Sequence, residues 1–183
     1  VLKRNKKSKL TLNITACLTE YLNQVGYTEI IDELKKLVKR GQVELTGSAA
    51  FHPLLPLLPP REIERQIEVN TAINQKYFGS LYKPRGFYLP EMAYSPAVAR
   101  IIKKKGFSWI ILDEISLDGR INNNHLDYSK HYAIKKIGLD VIFRNRKYSK
   151  TFVPLAIKEL SAKHKLPGIL VTATDGEPLF PSV

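Results

Sequence analysis

Cysteine is nearly absent. Cys17 is the single one in 183 residues, so no internal disulfide can form, and a reducing compartment such as the cytoplasm is expected. Long apolar runs are absent too. The longest fall well short of the roughly 18 residues a membrane-spanning helix needs, so no membrane partner is expected. Phosphate-binding turns are missing: neither GxxxxGK[ST] nor GxGxxG occurs, and nucleotide binding lacks its usual backbone cradle. No G-x-S-x-G nucleophile elbow occurs. The histidines, His52, His125, His131 and His164, show no HxxH, HxxxH or HExxH spacing, so a zinc site would have to assemble from distant residues. Cys17 lies in an apparent helix with no catalytic signature around it and reads as a small core residue.

What is present is ordinary in bulk. Hydrophobic residues make up 44% and charged residues 25%, as in a soluble domain with one sizeable core. Lys and Arg number 29 against 17 Asp and Glu, a net charge of +12. Such an excess can serve a phosphate-bearing partner. Here the basic residues are dispersed over "KRNKKSK" (3–9), "KKLVKR" (35–40), "KKK" (103–105) and "RNRK" (144–147), and no aromatic–glycine RNA-binding pattern joins them. A lysine-rich solvated surface is the favoured reading, with no nucleic-acid partner. The chain begins at Val1 and stops soon after an apparent strand end, so it is expected to be a segment of a larger protein.

Patterning predicts alternating strands and helices. "KLTLNIT" (9–15) places Leu10, Leu12 and Ile14 on one strand face. "ACLTEYLNQVG" and "TEIIDELKKLVKRG" read as helices, the second ending at Gly41 after basic residues. "QVELTGS" (42–48) is a short strand. "AFHPLLPLLPP" (50–60) carries too many prolines for regular structure and reads as a rigid loop. A helix is expected over 61–79, a strand in "PRGFYLPE" (84–91), and a helix over 95–106 with Ser95 as N-cap and Pro96 at its first position. "FSWIILDE" (107–114) reads as a buried strand, "HYAIKKIGLDVIFRN" (131–145) as two strands around Gly138, "VPLAIKELSAKHK" (153–165) as a helix and "PGILVTATDGE" (167–177) as a buried strand. The expected class is α/β with parallel strands, as one domain over residues 1–183.

Three apolar strands end in carboxylates: "GFYLPE", "SWIILDE" and "LVTATDGE". An acid at a strand–helix junction is often only a helix cap or first-turn charge. In a parallel α/β barrel, however, C-terminal strand ends face the active site. Two converging carboxylates there can divide into an acid and a nucleophile or base, the arrangement used in glycoside hydrolysis. Ser95-Pro96 already starts the helix after "GFYLPEMAY", so Glu91 is not needed as its cap.

The segments "GQVELTGSAAFHPLLPLLP" (41–59), "GFYLPEMAYSP" (86–96), "WIILDE" (109–114), "VIFRNRKYS" (141–149) and "VTATDGE" (171–177), in this order, resemble glycoside hydrolase family 57, whose members act mostly on α-glucans. The resemblance covers nearly the whole chain. It implies an incomplete (β/α)7-type barrel and a retaining mechanism with Glu91 as nucleophile and Asp175 as general acid/base. It places His52 where other branches of the family often have glutamate, and gives Asp113 and Arg144 a substrate-binding role. It also implies that the family's first motif, a strand-end His-Gln-Pro, lies upstream of Val1, and that a helical region completing the cleft lies downstream of Val183. This segment alone is then expected to lack activity.

On this resemblance Glu91 attacks the anomeric carbon while Asp175 protonates the departing oxygen, with the two carboxyl groups about 5–5.5 Å apart. Neither cofactor nor metal is required. Phe87, Tyr88, Tyr94 and Trp109 are aromatic candidates for stacking on sugars. Phe87 and Trp109 are mid-strand and read as core, whereas Tyr94 is the best placed. Water as acceptor gives an α-amylase-like hydrolase, and a sugar hydroxyl gives a 4-α-glucanotransferase or branching enzyme. Other readings are a metal-dependent polysaccharide deacetylase, which the lack of HxxxH disfavours, a polyanion-binding module, which leaves the strand-end acids unexplained, and a degenerate glucan-binding member.

Overall fold

The computed structural model describes residues 2, 4–121, 126–128, 130–149 and 171–174. Strands and helices alternate: β1 (Leu10–Asn13), α1 (Ala16–Gln24), α2 (Thr28–Lys39), β2 (Val43–Thr46), α3 (Pro60–Phe78), β3 (Gly86–Tyr88), α4 (Pro96–Lys104), β4 (Trp109–Leu112), α5 (Ile115–Asp118), β5 (Tyr132–Ile134), β6 (Leu139–Phe143) and α6 (Arg146–Ser149). β1 pairs parallel with β2, β3 with β4, and β4 with β6. An isolated parallel bridge between Gly47 and Phe87 links the end of β2 to β3. The parallel series therefore runs β1-β2-β3-β4-β6, and among the described residues it does not close on itself. β5 departs from the strict alternation: it runs antiparallel to β6 through a turn in which Ile137 and Gly138 donate N–H groups to the Ile134 carbonyl. Gly138 has φ +69°, a left-handed conformation that glycine adopts without steric cost.

The parallel strands bury one face under the helices. Phe87, Ile110, Leu112, Val141 and Phe143 form one core with residues of α3 and α4, including Ile63, Ile67, Val98 and Ile102. Val43 and Leu45 pack with Ile31 of α2 and with Ile14, Phe78 and Tyr82 in a second cluster. Burial alternates along β4, with Ile110 and Leu112 buried and Trp109 and Ile111 only half-buried. The strand is thus covered on one face rather than two. Phe87 is core as expected, whereas Trp109 lies half-buried over Gly86 of the neighbouring strand. Leu10 departs from the expected apolar face: it is 48% exposed while Ile14 is 3%. Leu10 starts β1 and lines a cavity with Val38 of α2, whereas Ile14, past the strand's other end, enters the second core cluster.

Cys17 is exposed, with Thr15 Oγ1 3.2 Å from its Sγ, so it is not a core residue. On α1 the buried positions are Ala16 and Thr19. A polar network takes the place an apolar seam would occupy. Asn74 accepts from Thr19 Oγ1 at 2.7 Å and donates to the Ile14 carbonyl. Asn70 accepts from the Ala16 N–H at 2.8 Å and donates to the Tyr82 hydroxyl. Tyr82 in turn donates to the Thr46 carbonyl. Every buried partner is matched, as a low-dielectric interior requires. Burial pushes the Tyr82 phenol up to about 12.

The predicted helix start after Ser95 is observed: Ser95 Oγ accepts from the Val98 N–H at 3.3 Å, with Pro96 at the first position. The prolines of 53–59 lie in a loop with one 3-10 turn, Leu55–Leu57, and Pro60 opens α3. The helix expected over 153–165 lies outside the described residues, as does the strand expected over 167–177 apart from 171–174. There, Val171 accepts from the Asn145 N–H at 2.7 Å, beside the end of β6. Among the described residues no helix is long and apolar enough to cross a membrane.

Candidate active site

The C-terminal ends of β2, β3, β4 and β6 carry the candidate residues. After β3 the chain passes Leu89 into a 3-10 turn, Pro90–Met92. Pro90 and Met92 are both buried, whereas the Glu91 side chain between them is 70% exposed. Two anchored neighbours therefore hold the backbone of a residue whose carboxylate is presented to solvent. Glu91 and Met92 both take left-handed backbone, φ +56° and +51°. Non-glycine residues adopt this region rarely and at a cost of order 1–3 kcal/mol.

His52 reaches Glu91 from the proline-rich loop after β2. Its Nε2 lies 3.2 Å from Glu91 Oε1. It is itself left-handed, with φ +55°. Its ring stacks beside Tyr88, at 6.5 Å between centroids and 27° between planes. The loop is fixed to the strands behind it: Ser48 Oγ donates to the Tyr88 carbonyl at 2.9 Å, and the Phe51 N–H donates to Gln66 of α3. His52, Glu91 and Met92 are the non-glycine residues with positive φ among the described residues, and they meet at one place.

A second constellation joins the ends of β4 and β6. Asp113 is 4% exposed. Its Oδ2 accepts from Arg144 Nε at 2.7 Å, both its oxygens lie 3.0–3.1 Å from Arg146 Nε, and Oδ1 also accepts from the Ile115 N–H. Burial acts to raise the Asp113 pKa, but the hydrogen bonds from Arg146 and Arg144 outweigh it and hold the carboxyl below its ordinary value. Glu114 is 1% exposed and accepts from the Tyr128 hydroxyl, with Arg146 Nε 4.0 Å away. Burial, together with the hydrogen bond to Glu114, raises the Tyr128 pKa.

Of the residues singled out in the sequence, the structure brings His52 to Glu91 and Arg144 to Asp113. Tyr94 is partly buried and packs against the main core cluster. Asp175 lies outside the described residues, as does His125. Glu114, Arg146 and Tyr128 were given no site role in the sequence. The signal for two of them was the matched pattern of two acids ending β4 and two arginines following β6, and Tyr128 carried none. Among the described residues no group of three or more His, Cys, Asp and Glu side chains could hold a metal ion. A cavity of about 460 Å³ opens at the opposite, N-terminal ends of the strands, lined by Lys9, Leu10, Glu44, Lys83 and Arg85 among others. It is not part of this site.

The sequence matches the glycosyl hydrolase family 57 model over residues 1–165, a span that ends before Asp175. An α-amylase of Pyrococcus horikoshii is 31% identical over 106 residues, covering 58% of this chain and 16% of that protein. A 1,4-alpha-glucan branching enzyme of Thermococcus kodakarensis is 47% identical over 70 residues, 38% of this chain and 10% of the relative. The crystal structure of 4-alpha-glucanotransferase from Thermococcus litoralis superposes with a TM-score of 0.74 at 20% identity, covering 95% of this chain and 28% of that one. The matches thus span only a minor part of each relative's length.

Proposed function

Since this chain belongs to glycosyl hydrolase family 57, we propose that it is the catalytic-barrel segment of a retaining glycosidase of α-linked glucans, with Glu91 as nucleophile and Asp175 as general acid/base. Relatives named α-amylase, branching enzyme and glucanotransferase support the substrate class. One observation carries the assignment within the chain. The Glu91 carboxylate stands exposed at the C-terminal end of a parallel strand, on backbone pinned between buried Pro90 and Met92 and within hydrogen-bond reach of His52. An acid that merely decorated a helix start would need none of this, because Ser95 already caps α4.

In the proposed reaction Glu91 attacks the anomeric carbon as Asp175 protonates the departing glycosidic oxygen. A glycosyl ester forms, and Asp175 then deprotonates the incoming water or sugar hydroxyl. The retaining course requires the two carboxyl groups about 5–5.5 Å apart. His52, Tyr94, Asp113 and Arg144 are proposed to contribute to substrate binding, Arg144 as the cation that Asp113 orients. The fold proposed for the natural protein is an incomplete (β/α)7-type barrel, which the parallel series β1-β2-β3-β4-β6 supports. A cytoplasmic site of action belongs to the same proposal.

In the full natural chain, Glu91→Gln should lower turnover of maltooligosaccharides by on the order of 10^3-fold or more while far-UV circular dichroism stays unchanged. Product anomers followed by NMR should begin in the α configuration. Near-normal turnover of the variant, or β products from the wild type, would overturn the mechanism.

A further inference from the structure

We propose that His52 is a positioning residue for the nucleophile: its imidazole holds one oxygen of Glu91 so that the other is aimed at the anomeric carbon. The inference rests on the reading of Glu91 as nucleophile and adds a role to the substrate contact proposed for His52. Three observations carry it. Nε2 of His52 lies 3.2 Å from Oε1 of Glu91, which leaves Oε2 for attack. Of the three non-glycine residues of positive φ among the described residues, His52 and Glu91 make this contact and Met92 directly follows Glu91. The Tyr88 ring lies alongside the imidazole.

Strained backbone persists where surrounding structure over-determines it, and it clusters where a side chain must be aimed. Here the surroundings are identifiable. Pro90 and Met92 anchor one side in the core. Ser48 ties the start of the His52 loop to β3. The Phe51 N–H ties it to α3. A glutamate 70% exposed would otherwise rotate freely about its side-chain bonds, and each freely rotating bond lowers the fraction of near-attack geometry. A hydrogen bond from a ring that is itself held in place removes that freedom at one oxygen.

The test reads the covalent step directly. With 5-fluoro-α-glucosyl fluoride, Glu91 forms the ester bond to the anomeric carbon as the C–F bond breaks and fluoride leaves, so intact mass and peptide mapping report rate and site of labelling. His52→Asn suits the left-handed backbone but is too short to reach Oε1. In the full natural chain it should label Glu91 about 10–100-fold more slowly than the wild type. It should also lower kcat on maltooligosaccharides by a larger factor than it raises KM. His52→Gln, whose amide nitrogen reaches toward the Nε2 position, should recover part of the rate. Tyr88→Leu, which takes away the ring beside the imidazole, should slow labelling in the same direction. Wild-type labelling rates in both His52→Asn and Tyr88→Leu would overturn the positioning role, as would an effect on KM alone. A wild-type protein that is not labelled at Glu91 would instead overturn the nucleophile assignment beneath it.

Discussion

Asp113 shows how a residue can be conspicuous in the sequence while its partners are not. It stands at a strand end, as a candidate acid should, yet its carboxylate is turned to Arg144 and Arg146 with 4% exposure. A buried carboxylate held by two guanidiniums stays ionised, and removing its charge leaves both cations short of a partner. Asp113→Asn should therefore destabilise the chain by about 1–3 kcal/mol at neutral pH, read as a lower urea midpoint. The folded-state pKa is depressed, so this stabilisation is present above the unfolded value near 4 and is lost as pH falls through the folded value. The wild-type and variant midpoints should converge on acidification below about pH 4, and a gap that persists there would refute the account. Arg144 was singled out in the sequence only through the family-like segment "VIFRNRKYS" that carries it. Arg146 was given no role, because "RNRK" taken alone reads as a solvated basic run, and only its match with the two acids that end β4 marks an ion-pair donor.

Among elements, short parallel strands are held close by glycines. A Cβ on Gly86 would stand 2.1 Å from the Trp109 ring, and one on Gly47 would stand 2.3 Å from Phe107. The first contact matters for the site, because β3 leads directly to Glu91. Gly86→Ala should cost about 1–3 kcal/mol through overpacking. It should also shift the emission of Trp109, the chain's single tryptophan, and unchanged emission with an unchanged urea midpoint would contradict the contact. Helices were the elements most readable in the sequence. α3 was expected over 61–79 and runs over Pro60–Phe78, and α4 was expected with its Ser95 cap and has it. Strand faces were less readable. Leu10 and Trp109 are apolar residues whose exposure depends on which neighbour covers them, and Cys17 faces out because Ala16 and Thr19 take the buried side of α1.

At the scale of the whole molecule the acceptor decides the reaction in the mechanism proposed for Glu91 and Asp175, since water and a sugar hydroxyl would use the same carboxylates. The relatives include hydrolases and transferases by name. With maltooligosaccharides as donor and acceptor, the full natural chain is expected to yield only shorter oligomers, the result of hydrolysis. Oligomers longer than the substrate, detected by chromatography of the product mixture, would instead assign transfer. The charge of +12 is spread over helices on which lysines pair with nearby acids, Lys104 and Lys105 with Glu64 and Glu68 across α4 and α3, and Lys36 with Glu33 within α2. Exposed pairs of this kind are worth little each.

The sequence by itself determined the α/β alternation, the Ser95 helix start and the acids that follow β3 and β4. These are local matters: a repeat of apolar positions, a serine before a proline, a carboxylate after an apolar run. The order of its motifs also determined the family. Only the tertiary structure decided which loop meets which strand end. It brought His52 against Glu91 across 39 positions and Arg144 against Asp113 across 31, and it set both partners of the first contact in left-handed backbone. Such pairings depend on the register of neighbouring strands and on cores that pin the chain on either side. Those are long-range consequences of packing that no local pattern encodes.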